Sequence, residues 1–243
     1  MRIDEAFLRW AEKCAEKVTV VRFYRWAVPT LSLGKHQKLE QAIEPAYCQR
    51  AAIPVVHRAT GGRAVFHADE LTYAVASNDL DHFPLGSVRD TYRVIAAGLK
   101  EGLKRLGIIA QLADSVREPA LPARLSWKNP CFLSPSRYEL LLDGCKIVGS
   151  AQRRLKRSFL QHGSIPLRIN YAQMAAALAV EQEVLRKSLI SVSEASRGEV
   201  TFEILCEAIK EGFEQTFNVR LMVPAILGCD FSPKIASHQR DML

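Results

Sequence analysis

Six cysteines stand apart from one another, at Cys14, Cys48, Cys131, Cys145, Cys206 and Cys229, with no C-x-x-C pair among them. That spacing suits neither a zinc site nor a redox dithiol. Cys131 differs from the rest because it follows Asn129-Pro130 at the end of a proline-bearing segment and precedes Phe132. A loop cysteine near cationic groups gives up its proton more readily, and the thiolate is the form that attacks a carbonyl. By itself a lone cysteine is simply a small hydrophobe. A second reactive type sits in Asp143-Gly144-Cys145-Lys146-Ile147-Val148-Gly149-Ser150-Ala151-Gln152. Strand side chains alternate, so Cys145 and Lys146 point to opposite faces and only one of them can look into a given pocket. Gly149-Ser150 interrupts the strand pattern, which either brings backbone amides near a reacting group or marks a bulge.

Two further stretches offer close backbone approach. In His57-Arg58-Ala59-Thr60-Gly61-Gly62-Arg63-Ala64-Val65-Phe66-His67, paired glycines between extended pieces can present amides to a carbonyl or phosphate. The same pair also makes an ordinary turn. Gln161-His162-Gly163-Ser164 places another glycine within a strand. Arg153, Arg154, Lys156 and Arg157 form a basic cluster, which on most proteins is a solvated face.

The elements that must position these residues read as follows. Ile3, Phe7, Trp10 and Cys14 are spaced as one face of a helix over residues 1 to 17, with Cys14 in the core. Strands are predicted over 18–26 and 30–33, and a helix over 39–51 that Pro45 must either start or break. Residues 55–56, 64–66 and 71–76 read as a meander of short strands around the glycine turn. Ser87 and Asp90 cap a helix running to Gly107. Residues 113 to 130, with three prolines and no period, read as a long mobile connection. Asp143-Gly144 marks a hairpin between strands over 138–142 and 145–148, with another strand at 159–167. Helices over 170–178, 181–189 and 202–217 close the readable part. Strands first and helices last give an α+β fold, with a mixed or antiparallel sheet flanked by helices. No linker forces a division, so residues 1–243 read as a single catalytic domain with an unassigned tail at 222–243.

With 243 residues, 48% of them hydrophobic and 24% charged, the chain has the composition of a globular protein. No apolar run approaches the ~20 residues of a spanning helix, and the acidic N-terminus is unlike a signal peptide, so a cytoplasmic location without membrane contact is expected. The formal charge is +7, from 33 Lys and Arg against 26 Asp and Glu. Basic and acidic residues are interspersed and no nucleic-acid signature is visible, which favours attraction to acidic protein partners over nucleic acid as the use of that charge.

The order of these motifs resembles the lipoate-protein ligase and octanoyltransferase family, whose fold is related to biotin protein ligases and class II aminoacyl-tRNA synthetase catalytic domains. The resemblance runs from Phe7 to about Leu221. It is carried by Arg22-Phe23-Tyr24, Thr30-Leu31-Ser32-Leu33-Gly34, the Arg58 to His67 turn, Glu70-Leu71-Thr72-Tyr73, Gly149-Ser150-Ala151-Gln152 and His162-Gly163-Ser164. Cys131-Phe132, Pro135-Ser136-x-Tyr138-Glu139-Leu140 and Gly144-x-Lys146 are similar to the cysteine-dependent octanoyltransferases of Gram-positive type. His57 and Ala68 depart from the family, which commonly has arginine and aspartate there.

The resemblance implies that Cys131 accepts an octanoyl group from octanoyl-acyl carrier protein, with Lys146 lowering its pKa. The acceptor would be a lysine of an apo-lipoyl domain, in a glycine-cleavage H protein or a dehydrogenase E2 subunit. Arg58, Thr60, Gly61, Gly62, Val65, His67, Gly149, Ser150, Ala151, His162 and Gly163 would bind substrate, with Val65, Phe66 or Leu71 along the acyl chain. No cofactor or metal is implied. Three alternatives are an ATP-dependent lipoate-protein ligase, a transferase between lipoyl proteins, and a non-enzymatic module that binds a carrier or nucleic acid. A continuation of His67 as Ala68-Asp69-Glu70-Leu71 differs from the Asp-x-Gly-Asn type sequence of the ligases.

Overall fold

The computed structural model describes residues 1–84, 86–113 and 139–222. In chain order, α1 (Arg2–Lys13) leads to β1 (Thr19–Tyr24) and β2 (Thr30–Leu33), then α2 (Leu39–Ala42), α3 (Pro45–Arg50), β3 (Val55–His57), β4 (Val65–His67) and β5 (Glu70–Ser77). There follow α4 (Val88–Arg105), β6 (Gln111–Leu112), β7 (Leu140–Leu142), β8 (Cys145–Arg154) and β9 (Phe159–Pro166). Four helices complete the described chain: α5 (Tyr171–Leu178), α6 (Gln182–Ser188), α7 (Val192–Ala195) and α8 (Phe202–Phe217).

Two sheets result. The larger runs β1-β5-β9-β8-β7-β6 with every neighbour antiparallel, and the smaller runs β3-β2-β4. In the smaller sheet β2 is parallel to β3 and antiparallel to β4, while β5 joins the other sheet. The expected meander of 55–76 is therefore replaced by a central β2, because Leu31 and Leu33 are fully buried and need a neighbour on each side. Helices α4 and α8 cover one face of the large sheet, where Leu99, Leu103, Ile209 and Phe213 join Leu71, Tyr73 and Val75 in one core. Helix α1 covers the other through Leu8 against Ala74, Ala76 and Leu160. A second core under the small sheet joins Leu31, Leu33 and Phe66 to Met174 and Leu178 of α5.

Several local expectations hold. Ser87 accepts the Asp90 N–H and caps α4, Asn170 accepts from Gln173 and caps α5, and Asp143 and Gly144 turn the β7–β8 hairpin with φ of 50° and 82°. Others shift. Pro45 starts α3 and separates it from α2, since its ring supplies no N–H to a continuing helix. The buried face of α1 is Asp4, Leu8 and Ala11, whereas Ile3 is 47% exposed and Cys14 only half-buried. The rotation follows from Asp4, whose carboxylate is bonded by Arg22 (2.7 Å) and Tyr24 (2.8 Å) inside the fold. Strand β8 does not end at Gly149; it runs on to Arg154, pairing first with β7 and then with β9.

The basic cluster is not simply a solvated face. Arg153 reaches Glu5 at 3.2 Å, Arg154 bonds Thr91 Oγ1 at 2.8 Å, and Arg157 bonds the Glu12 carbonyl at 2.6 Å. Three of its four members thus tie the β8–β9 hairpin to α1 and α4. Short α7, capped reciprocally by Ser191 and Glu194, and two-residue β6 were not anticipated from periodicity. The connection expected over 113–130, apart from residue 113, and the tail expected over 222–243, apart from residue 222, lie outside the described residues.

Candidate active site

Side chains from both sheets line one cavity. Ser32 comes from β2, Val65 and His67 from β4, Arg58 from the turn between β3 and β4, and Thr72 from β5. Lys146, Gly149, Ser150 and Ala151 come from β8, His162, Gly163 and Ser164 from β9, and Glu139 from just before β7.

Lys146 is held by backbone before its side chain is considered. It opposes Leu141 across the hairpin, and its carbonyl accepts the Ile190 N–H at 3.1 Å. The ammonium lies 2.5 Å from Glu139 Oε1, with the two side chains 3% and 5% exposed. Cys145 points the other way, its sulfur 3.5 Å from the Lys187 carbonyl. The alternation read from the sequence therefore selects Lys146, and burial raises the Cys145 thiol further from reactivity. Cys131, Pro135, Ser136 and Tyr138 lie outside the described residues.

Arg58 is buried, and its guanidinium bonds the Ser32 carbonyl (3.0 Å), the Ser32 hydroxyl (3.2 Å), the Gly61 carbonyl (2.9 Å) and the Arg63 carbonyl (2.6 Å). The cation thereby staples the glycine turn to β2. Thr60 sits one layer behind the cavity, where its hydroxyl meets His162 Nε2 at 2.7 Å. His162 Nδ1 is 3.4 Å from Asp4. Burial lowers the His162 pKa against the pull of that carboxylate. For Asp4 burial acts upward, but the His162 hydrogen bond, the nearby amino terminus, the His162 charge and the Tyr24 hydrogen bond together outweigh it and hold the acid at about 2.

A second network surrounds His67. Its Nδ1 meets Glu70 Oε1 at 2.8 Å, its Nε2 meets Ser32 Oγ at 2.7 Å, and its ring stacks on Trp26 at 4.4 Å. Ser164 donates to the other Glu70 oxygen at 2.5 Å, Thr72 donates to Oε1, and the Trp26 indole donates to Thr72 at 2.9 Å. On the β9 side Gly163 is required by space: a Cβ there would fall 2.5 Å from the Gly149 carbonyl oxygen and from a Tyr73 ring carbon. The Tyr73 hydroxyl bonds Ser150 Oγ at 2.7 Å, and burial pushes its pKa up to about 12.

The structure thus gathers Arg58, Val65, His67, Lys146, Gly149, Ser150, Ala151, His162 and Gly163 around one space. Thr60 supports that space from behind, and Gly61 and Gly62 are exposed and do not line it. Phe66 belongs to the second core and Leu71 to the first, so of the three residues considered for the acyl slot only Val65 lines the cavity. Ser32, Glu70, Thr72, Ser164, Glu139 and Asp4 were not singled out as site residues. For Glu70 and Thr72 a signal existed: they are polar at alternate positions, between the apolar Leu71 and Tyr73 of the same strand.

Residues 1–214 match the family model described as the lipoyl protein ligase A/B catalytic domain. The chain belongs to that family. It is 36% identical over 233 residues to octanoyltransferase LipM of Anoxybacillus flavithermus, covering 91% of this chain and 82% of the relative. It is 37% identical over 235 residues to octanoyltransferase LipM of Bacillus cereus, covering 91% and 83%. Its fold superposes on lipoate-protein ligase A, solved with ATP bound, with a TM-score of 0.72 at 20% identity over 90% of this chain and 80% of that one.

Proposed function

We propose that the chain is an octanoyltransferase of lipoate biosynthesis that passes an octanoyl group from octanoyl-acyl carrier protein, through a thioester on Cys131, to the lysine of an apo-lipoyl domain. The observation that carries the reading is the buried Lys146 at the cavity, in a chain more than a third identical to octanoyltransferases along nine-tenths of its length. In the first half-reaction the Cys131 thiolate attacks the donor thioester carbonyl and the carrier thiol leaves. One thioester replaces another, so no nucleotide is needed. The Lys146 cation favours the thiolate, each unit of pKa depression being worth ~1.4 kcal/mol. In the second half-reaction an amine displaces the thiolate, and the stability of the amide drives the cycle.

For the tetrahedral oxyanion the Gly149-Ser150 stretch lines the cavity and Gly61-Gly62 does not; antiparallel pairing with β9 engages one of the two β8 amides, which leaves the other as the candidate donor. Each such donor is typically worth ~3 kcal/mol. We assign the whole reaction to a single catalytic domain acting in the cytoplasm, with the acidic carrier and lipoyl domains attracted by the +7 charge. Among the described residues no helix is long and apolar enough to cross a membrane.

The test is a transfer assay with octanoyl-acyl carrier protein and an apo-lipoyl domain in nucleotide-free buffer. Octanoyl-lysine should accumulate. A requirement for ATP and free octanoate would overturn the transferase reading in favour of a ligase.

A further inference from the structure

Ser32, His67 and Glu70 form a hydrogen-bonded chain ending in the cavity, and the thioester chemistry above gives it no task. Its proton positions follow from counting. Glu70 accepts from His67 Nδ1, Ser164 and Thr72, so a neutral His67 carries its hydrogen on Nδ1 and presents a lone pair at Nε2. That lone pair, 2.7 Å from Ser32 Oγ, takes the serine hydrogen. A hydroxyl oxygen has two acceptor positions. Arg58 Nη1 occupies one of them at 3.2 Å, and among the described residues nothing occupies the other. Ser32 and His67 both line the cavity, and stacking on Trp26 fixes the imidazole plane. A serine whose hydrogen is committed to a base, with one acceptor position left, is built to receive a hydrogen from a primary ammonium.

We propose that Ser32, His67 and Glu70 are the proton relay that deprotonates the acceptor lysine, an inference that rests on the acyl-thioester reading. A lysine arrives protonated, its reference pKa being ~10.4, and only the free amine attacks. The ammonium passes a proton to Ser32 Oγ as the Ser32 hydrogen moves to His67 Nε2, leaving an imidazolium beside the Glu70 carboxylate. The amine lone pair then forms the C–N bond at the thioester carbonyl. The C–S bond breaks with its electron pair going to sulfur, and the second nitrogen proton neutralises that thiolate. The products are the amide, the Cys131 thiol and the His67 imidazolium, which returns its proton to water. The charged and titratable groups around this step are Glu70 from β5, Arg58 behind Ser32, and His162, Lys146, Glu139 and the amino-terminal Met1 on the same cavity.

The experiment loads the protein with octanoyl-acyl carrier protein, isolates the octanoyl-enzyme, and discharges it with either an apo-lipoyl domain or hydroxylamine, which is neutral at about pH 7 and needs no base. For His67→Gln, lysine transfer should fall ~100-fold while hydroxylamine discharge changes less than ~3-fold. The residual lysine transfer should climb ~10-fold per pH unit between about pH 7 and about pH 9, as more lysine becomes neutral, while the wild-type rate levels off. Ser32→Ala, a one-oxygen deletion that guards against misfolding of the histidine variant, should repeat the pattern. Equal losses with both nucleophiles would reduce the chain to a structural role and overturn the relay, as would undiminished lysine transfer. Failure of the unaltered protein to form any octanoyl-enzyme would overturn the thioester reading beneath it.

Discussion

Two polar clusters share the cavity, and they are built on different principles. Lys146 and Glu139 form one buried ion pair, drawn from the two ends of a short hairpin. The cluster around His67 draws on β2, β4, β5, β9 and the segment carrying Trp26, and distributes its load over several hydrogen bonds. In the pair, removal of one partner takes a full opposite charge from a buried group in a single step. In the network each hydroxyl is one contribution among several, so losses are graded. The chemistry divides the same way, with a fixed charge suited to stabilising a thiolate and a hydrogen-bonded chain suited to moving protons.

Removing the fixed charge should have the largest effect. Lys146→Ala should slow octanoylation of the protein by ~100-fold or more and move the pH profile of that step upward, as measured by rapid-quench mass spectrometry. Glu139→Gln tests the pair from its other side. Urea unfolding should show a loss of about 3 kcal/mol, the usual consequence of taking one partner from a buried ion pair. A loss under about 1 kcal/mol would place this pair with exposed ones.

A third experiment concerns Asp4 and His162 behind the cavity. Both have folded-state pKa values below their ordinary ones, so the unfolded chain takes up protons first and stability falls as pH falls. His162 acts below its ordinary 6.5 and Asp4 between 3.8 and about 2. The Asp4 share is roughly 2 kcal/mol, and Asp4→Asn should remove that part of the slope from urea midpoints taken across the acid range. The smallest effect belongs to a single network hydroxyl. Thr72→Val breaks the link between Trp26 and Glu70 while Ser164 and His67 still donate to the carboxylate, and should cost about 1 kcal/mol by thermal unfolding.

Lys146 was legible, whereas its partner Glu139 and the network were not, for a physical reason. Lys146 lies beside Asp143-Gly144, a turn that fixes strand register locally, so alternation put it and Cys145 on opposite faces and the family resemblance chose between them. The His67 network joins residues separated by as many as 138 positions, from Trp26 to Ser164. Nothing local announces such a meeting. Asp4 shows the converse error. The helical stripe placed Ile3 inward, but a buried carboxylate with three partners on β1 and β9 outweighs one exposed isoleucine in setting the rotation of α1. The meander failed because short apolar strands carry no record of their partners, and burial of β2 on both sides decided the pairing.

Intact-mass analysis after mixing with octanoyl-acyl carrier protein in nucleotide-free buffer reads the acyl-enzyme itself. A single octanoyl increment should appear, be released by hydroxylamine, map to the peptide containing Cys131 and vanish in Cys131→Ala. An increment that persists in that variant, or that maps to Cys145, would contradict the account.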